Sequence, residues 1–107
     1  MKVYLDNAAS TPVFKEVVEA MLPWFTENYG NPSSIHSPGR TGKAQIEQAR
    51  KVIAQGLNAS LGEIFFTSGG TEASNAIIKG VVRDLGVKHI VTSPIEHHCV
   101  LHSVSAV

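Results

Sequence analysis

The sequence has little cysteine, no net charge and no long apolar run. Its single cysteine, Cys99, has no partner for an intrachain disulfide. Nine basic and nine acidic residues cancel without forming a basic cluster, which argues against nucleic acid or an anionic membrane as a partner. No run of about 18 apolar residues occurs, so no membrane-spanning helix is predicted. The chain meets Asp6 before any long apolar run forms, so no signal peptide is predicted and we expect a cytoplasmic protein.

The composition is that of part of a globular protein. A hydrophobic content of 43% and a charged content of 17% suit a packed core, and 107 residues make at most one domain. The last residues, 103–107, continue a helical pattern without a Gly, Asn or Pro stop signal. We therefore expect the sequence to be a fragment of a longer protein.

Hydrophobic spacing predicts helices that alternate with short strands. Helices are expected over residues 12–25, 41–57 and 71–85, with a last one from near Glu96. Thr11 is expected to cap the first helix, and Pro23 to kink or end its last turn. Strands are expected at residues 3–5, 63–66 and 88–92. This order implies an α/β fold with a right-handed parallel βαβ unit, whose ligands sit beyond the carboxyl ends of the strands.

A glycine turn between the second strand and the third helix is the central feature. Gly69 and Gly70 let the backbone bend and approach a ligand closely, and Gly86 is expected to end the helix that follows. The unpaired N–H groups at the start of this helix, with the Thr71 hydroxyl, would form a cradle for a phosphate or carboxylate. The alternative is an ordinary strand-to-helix connection in which Thr71 only caps the helix.

Residues 28–40 form the longest irregular stretch and are rich in Gly, Pro, Asn and Ser. One interpretation is a plain connecting loop. The other is a loop that delivers Asn31, His36 or Arg40 to a site, because loops often carry such groups.

The end of the third strand carries a histidine cluster with three interpretations. His97 stacks on a flat cofactor, or His98 and His102 bind a metal with Cys99 or Glu96, or none of them has a special role. Adjacent helical residues diverge by about 100°, so His97, His98 and Cys99 cannot converge on one ion, and no metal is expected. A lone cysteine on an apolar helix is more often a packing residue.

Together these features resemble the start of a cysteine desulfurase, a class V aminotransferase of the fold type I pyridoxal-phosphate (PLP) enzymes. The resemblance rests on four motifs in family order: residues 4–12 (YLDNAASTP), 29–36 (YGNPSSIH), 66–75 (FTSGGTEASN) and 94–98 (PIEHH). It implies that residues 1–12 form an arm of the small domain that borders the active site. Residues 13–107 would then be the first part of the large PLP-binding domain.

The resemblance also implies roles for individual residues. Gly70 and Thr71 would hold the phosphate of PLP, and His97 would stack on the pyridine ring and relay protons during catalysis. The active-site border would be formed by Asn7, Asn31, His36 and Arg40, in part across a homodimer interface.

The family reaction takes sulfur from L-cysteine, leaves L-alanine and stores the sulfur as an enzyme persulfide. A sulfur-acceptor or scaffold protein then receives it for iron–sulfur cluster or thio-cofactor assembly. The family's Schiff-base lysine, its pyridine-nitrogen acid and its persulfide cysteine would all lie beyond Val107, so we expect no catalysis from these 107 residues alone. The alternatives are another class V enzyme, such as a selenocysteine lyase or an aminotransferase, or a non-catalytic phosphate- or metal-binding module.

Overall fold

The computed structural model describes residues 1–107 and contains four α-helices, one short 3-10 helix and no β-strand. The α-helices are α1 (Lys15–Thr26), α2 (Ser37–Leu57), α3 (Gly70–Leu85) and α4 (His98–Ser105), and the 3-10 helix is Leu61–Glu63. The chain forms two compact units, Met1–Ile64 and Phe65–Val107. α1, α2 and the 3-10 helix lie in the first unit, and α3 packs against α4 in the second.

α1 begins later than the sequence predicts. Its N-cap is Phe14, whose carbonyl accepts the N–H groups of Val17 and Val18 at 3.1 Å, and no side chain caps the helix. The prediction that Thr11 is the cap is therefore wrong. Pro23 lies inside the last turn, where its carbonyl accepts the N–H of Glu27 at 2.9 Å. The helix ends at Thr26, close to the predicted end.

α2 begins earlier than predicted, because part of the expected loop is helical. His36 is the N-cap, and its Nδ1 accepts the N–H of Gly39 at 3.2 Å. Gly39 is buried, and a Cβ there would lie 2.5 Å from the Ser34 carbonyl oxygen, so only glycine fits. The helix ends at Leu57, and its C-cap, Asn58, is in the left-handed conformation with φ of 52°.

The predicted strands are not formed. Residues 3–5, 64–66 and 88–92 have no regular secondary structure, and a strand exists only where a neighbouring strand accepts and donates its backbone hydrogen bonds. Within the described chain these segments have no such neighbour, and their apolar side chains are exposed, with Phe65 at 80% and Val91 at 98%. The parallel βαβ unit is therefore not present in this structure.

Very little of the chain is buried. Only four residues fall in the buried class, Gly39, Gly42, Ala54 and Ser103, and Ala54 is the one hydrophobic side chain among them. None of the helices combines the length and the apolar character needed to cross a lipid bilayer. The predicted division into an arm at residues 1–12 and a domain at 13–107 stays a prediction.

Candidate functional site

The glycine turn is followed directly by the N-terminus of α3. Gly69 is the N-cap in extended backbone geometry, and α3 begins at Gly70. Thr71 is thus inside the first turn, and the alternative in which it caps the helix is wrong. The first backbone N–H groups of a helix have no intrahelical acceptor and carry the positive end of the helix dipole. A Cβ built on Gly69 or Gly70 meets no atom within 4 Å, so this end of α3 is open to a ligand.

The turn before α3 is held by a carboxylate. Glu72 Oε2 accepts the N–H and the hydroxyl of Ser68, both at 2.7 Å. The hydrogen bond from the hydroxyl, and then that from the N–H, hold the pKa of Glu72 below its ordinary value. Glu72 therefore accepts the amide N–H of Ser68, which precedes the first turn of α3.

We predict that the pKa of Glu72 rises toward its ordinary value in the variant Ser68→Ala, which removes the hydroxyl. Because the folded-state pKa is lowered, this contact stabilises the turn above the unfolded-state pKa and is lost as pH falls through the folded-state pKa. Carbon-13 NMR of labelled glutamate in the full-length protein measures the titration. Ser60→Ala is the matched control, because Ser60 makes the same pair of bonds to Glu63 in the first unit. We expect Ser60→Ala to leave the titration of Glu72 unchanged. If Ser68→Ala also leaves it unchanged, the Ser68 hydroxyl does not lower the pKa of Glu72.

His97 lies at the start of α4 and is its N-cap. Its Nδ1 accepts the backbone N–H of Cys99 at 3.1 Å, so the imidazole fills the role that Ser, Thr, Asn or Asp usually fills. The helix begins at His98, two residues later than the predicted start near Glu96. His98 meets the rings of both other histidines edge to face, with centroids 6.3 Å from His97 and 5.9 Å from His102.

Thr71 and His97 line the same cavity, of about 250 Å³, at the packed faces of α3 and α4. The structure thus brings together His97, the predicted ring partner, and Thr71, one of the two predicted phosphate ligands, whereas Gly70 does not line this cavity. The other residues of the lining are Asn75, His98, Cys99 and His102. No three of the His, Cys, Asp and Glu side chains in the structure are grouped to hold a metal ion.

Sequence reasoning missed two polar neighbours in this cavity region, Ser74 and Asn75. Asn75 Nδ2 donates to the carbonyl oxygen of Thr71 at 2.9 Å, and Ser74 Oγ lies 3.6 Å from Cys99 Sγ. The signal for Asn75 was present, because a residue four positions after Thr71 lies on the same helix face. No sequence pattern could place Ser74 beside Cys99, since that contact depends on how α3 and α4 pack.

The four predicted border residues lie in the first unit, where three have local structural contacts. Asn31 Oδ1 accepts the N–H of Ser33 at 2.9 Å, His36 caps α2, and an Arg40 N–H donates to the Ile35 carbonyl. Asn7 lies in a turn in which the Asp6 carbonyl accepts two later N–H groups. A larger cavity of about 360 Å³ in this unit, between Trp24 and Ala49, is lined by none of the four.

The residues around the smaller cavity fit a ligand that combines an anion with an aromatic ring. Backbone amides and a hydroxyl suit a phosphate, and imidazole rings suit a flat heterocycle. The solved structure of a NifS-like protein superposes on this chain with a TM-score of 0.93 at 42% sequence identity. The match covers 99% of this chain and 30% of the NifS-like protein. The fold is therefore that of the corresponding part of a NifS-like protein.

The chain belongs to the aminotransferase class-V family, whose sequence profile matches residues 3–107. It is 62% identical over 104 residues to cysteine desulfurase IscS of Methanosarcina thermophila, covering 94% of this chain and 26% of that protein. The cysteine desulfurase IscS of Dictyoglomus turgidum is 56% identical over 102 residues, with the same coverage. The chain thus spans about a quarter of the length of these curated relatives, and the family resemblance seen in the four motifs is confirmed.

Proposed function

We propose that the full-length protein is a PLP-dependent cysteine desulfurase that converts L-cysteine into L-alanine and an enzyme persulfide. The observation that carries this proposal is the cavity shared by Thr71 and His97 in a chain similar to proteins named cysteine desulfurase. The persulfide sulfur would pass to an acceptor or scaffold protein for iron–sulfur cluster or thio-cofactor assembly.

The residues of the second unit would bind and orient the cofactor. The amides of Gly70 and Thr71 and the Thr71 hydroxyl would hold the phosphate at the start of α3, where the helix dipole favours an anion. The His97 ring would lie against the pyridine ring from the other side of the cavity and hold or release a proton at Nε2. When bound, PLP supplies an electron-withdrawing ring that stabilises negative charge on the substrate carbon.

The rest of the protein would complete the fold. In our proposal residues 63–66 and 88–92 become parallel strands once neighbouring strands pair with them, which gives the fold type I sheet. Residues 1–12 would form the arm beside the active site and 13–107 the start of the large domain. Asn7, Asn31, His36 and Arg40 would border the substrate site, in part across a homodimer interface. We place the enzyme in the cytoplasm.

The test is the absorbance and the products of the purified full-length protein. Bound PLP makes the protein yellow, and L-cysteine should then yield equal amounts of alanine and of sulfur released by a thiol reductant. A colourless protein whose ligand binding depends on a metal chelator would overturn the proposal in favour of a metal-binding module. Preference for L-selenocysteine, or amino-group transfer to a keto acid, would indicate another class V enzyme instead.

We predict that Thr71→Val in the full-length protein weakens PLP binding by about tenfold or more. The threonine hydroxyl would donate to a charged phosphate, and a hydrogen bond to a charged group contributes about 1.5–3 kcal/mol. Equilibrium dialysis, followed by the visible absorbance, measures the dissociation constant. Thr26→Val is the control, because Thr26 is an exposed helical threonine in the first unit and lies outside the cavity. Equal PLP affinity in the two variants would remove Thr71 from the phosphate site.

A further inference from the structure

Two groups of Cys99 meet Nδ1 of His97. The backbone N–H of Cys99 donates to Nδ1 at 3.1 Å, and the sulfur of the same residue lies 3.1 Å from that nitrogen. This nitrogen acts as an acceptor toward the backbone, so it carries no proton. A neutral imidazole with an acceptor at Nδ1 has its proton on Nε2, because each ring nitrogen sets the state of the other.

The thiol of Cys99 also reaches α3. Its sulfur lies 3.6 Å from Ser74 Oγ, within the distance allowed for a hydrogen bond that involves sulfur. Cys99 is half-buried and its thiol is free. Its one S–H donates to Ser74 Oγ on α3, so the sulfur contacts Nδ1 of His97 without donating a hydrogen bond to it.

The first turn of α4 is anchored as well. The Ser103 hydroxyl donates to the carbonyl oxygen of Cys99, and Ser103 is one of the few buried residues, with 1% of its surface exposed. Cys99 is therefore fixed through its carbonyl by α4 and through its sulfur by α3. Because Cys99 is fixed by contacts to both α3 and α4, it can fix the orientation of the His97 ring that it contacts.

We propose that Cys99 and Ser74 are positioning residues for His97. The Cys99 thiol, which donates to Ser74 on α3 and contacts Nδ1, holds the ring at a constant place relative to the start of α3, while the backbone N–H of Cys99 keeps the Nε2–H tautomer. This inference rests on the proposed function, because it assigns the task of orienting His97 against a PLP bound between Thr71 and His97. Cys99 is neither a metal ligand nor a nucleophile in this account.

The test compares Cys99→Ala, Cys99→Ser and Ser74→Ala with Val100→Ala in the full-length protein. Val100 is the matched control, because it is also half-buried in the first turn of α4 and does not line the cavity. Long-range proton–nitrogen NMR of labelled histidine reports the tautomer of His97 with or without cofactor. Visible circular dichroism of bound PLP reports the orientation of the groups around it.

We expect Cys99→Ala to shift the Nδ1 resonance of His97, because the sulfur contact is lost, and to weaken PLP binding about fivefold, the factor that one neutral hydrogen bond contributes. The Nε2–H tautomer should persist, because the backbone N–H of residue 99 is still present. Ser74→Ala should cause a smaller change in the same direction. Cys99→Ser, which retains a donor, should restore most of the wild-type circular dichroism, and Val100→Ala should leave both readouts unchanged.

The outcomes separate this inference from the proposed function. A wild-type protein that does not bind PLP overturns the proposed function. A yellow wild-type protein in which Cys99→Ala and Val100→Ala give the same spectra and the same PLP affinity overturns only the positioning role. Cys99→Ser that behaves like Cys99→Ala would show that a donor at this position is not what orients the ring, and would overturn it too.

Discussion

Replacing His97 by Ala in the full-length protein is expected to lower turnover of L-cysteine by about 10²–10⁴-fold, the usual contribution of a positioned acid or base. His97 and Thr71 line one cavity, and Nδ1 of His97 is engaged by the backbone of α4, which leaves Nε2 for proton transfer. Alanine and sulfide release, measured at saturating L-cysteine, gives the effect on kcat.

The neighbouring histidine is the first control for this variant. His98 lines the same cavity, but its side chain makes ring contacts only, so His98→Ala should change kcat by no more than a few-fold. Equal losses in the two variants would remove the catalytic assignment from His97.

A second control separates catalysis from helix capping. Loss of the N-cap costs a helix about 1 kcal/mol, so His97→Ala should also lower the melting temperature of the protein. His97→Asn offers an oxygen that can accept the Cys99 N–H, so we expect it to recover the melting temperature while turnover stays low. Recovery of turnover by asparagine would mean that His97 acts only as a cap.

The helices could be predicted from the sequence because their signals are local. Apolar residues at helical spacing predict α3 to within one residue at its start, and Gly86 follows it as the C-cap in the left-handed conformation, with φ of 65°, as predicted. The errors lie at the N-termini of the other helices. His36 and His97 cap α2 and α4 through Nδ1. Sequence reasoning misses both because the usual N-cap residues are Ser, Thr, Asp and Asn, not His.

Strands could not be predicted from local sequence pattern in the same way, because a strand needs a partner. A β-branched or aromatic run such as residues 63–66 fits a strand, but pairing requires another segment at about 4.8 Å. In this chain, instead, an N–H of Arg50 donates to the Ile64 carbonyl, and the apolar side chains of the predicted strands stay largely exposed. Sequence pattern therefore identifies segments with strand propensity, whereas the sheet depends on partners that these 107 residues do not provide.

Sheet geometry predicts a ligand site beyond the carboxyl ends of the strands, and in the structure Thr71 and His97 line one cavity although no strand is formed. The starts of α3 and α4 lie at one cavity where the two helices pack against each other. The second set of contacts, Glu72 to Ser68 and Cys99 to His97, could not be predicted, because each depends on side-chain rotamers rather than on spacing. The sequence thus indicates that Thr71 and His97 lie near each other but not which side chains hold them, and the roles of both residues toward a cofactor stay predictions.

The isolated 107-residue polypeptide is expected to show no cooperative thermal unfolding as a monomer. Folding requires burial of apolar surface to offset a conformational entropy cost of about 1–2 kcal/mol per residue. Here Ala54 is the one buried hydrophobic side chain, while large ones such as Phe14, Phe65 and Ile95 are at least 78% exposed. Circular dichroism at 222 nm during heating, with size-exclusion chromatography of the same sample, measures both the transition and the association state.

The full-length protein is the control for this last prediction, and we expect it to melt in a sharp transition. The difference would follow from the apolar surfaces of α1, α3 and the predicted strands, which in the longer protein would be covered by neighbouring strands and helices. Exposed apolar area of this extent also predicts strong binding of a hydrophobic dye and concentration-dependent association of the short polypeptide. A monomeric 107-residue polypeptide with a sharp transition and no dye binding would contradict this view. It would mean that packing between short helices alone suffices to hold Thr71 and His97 in place.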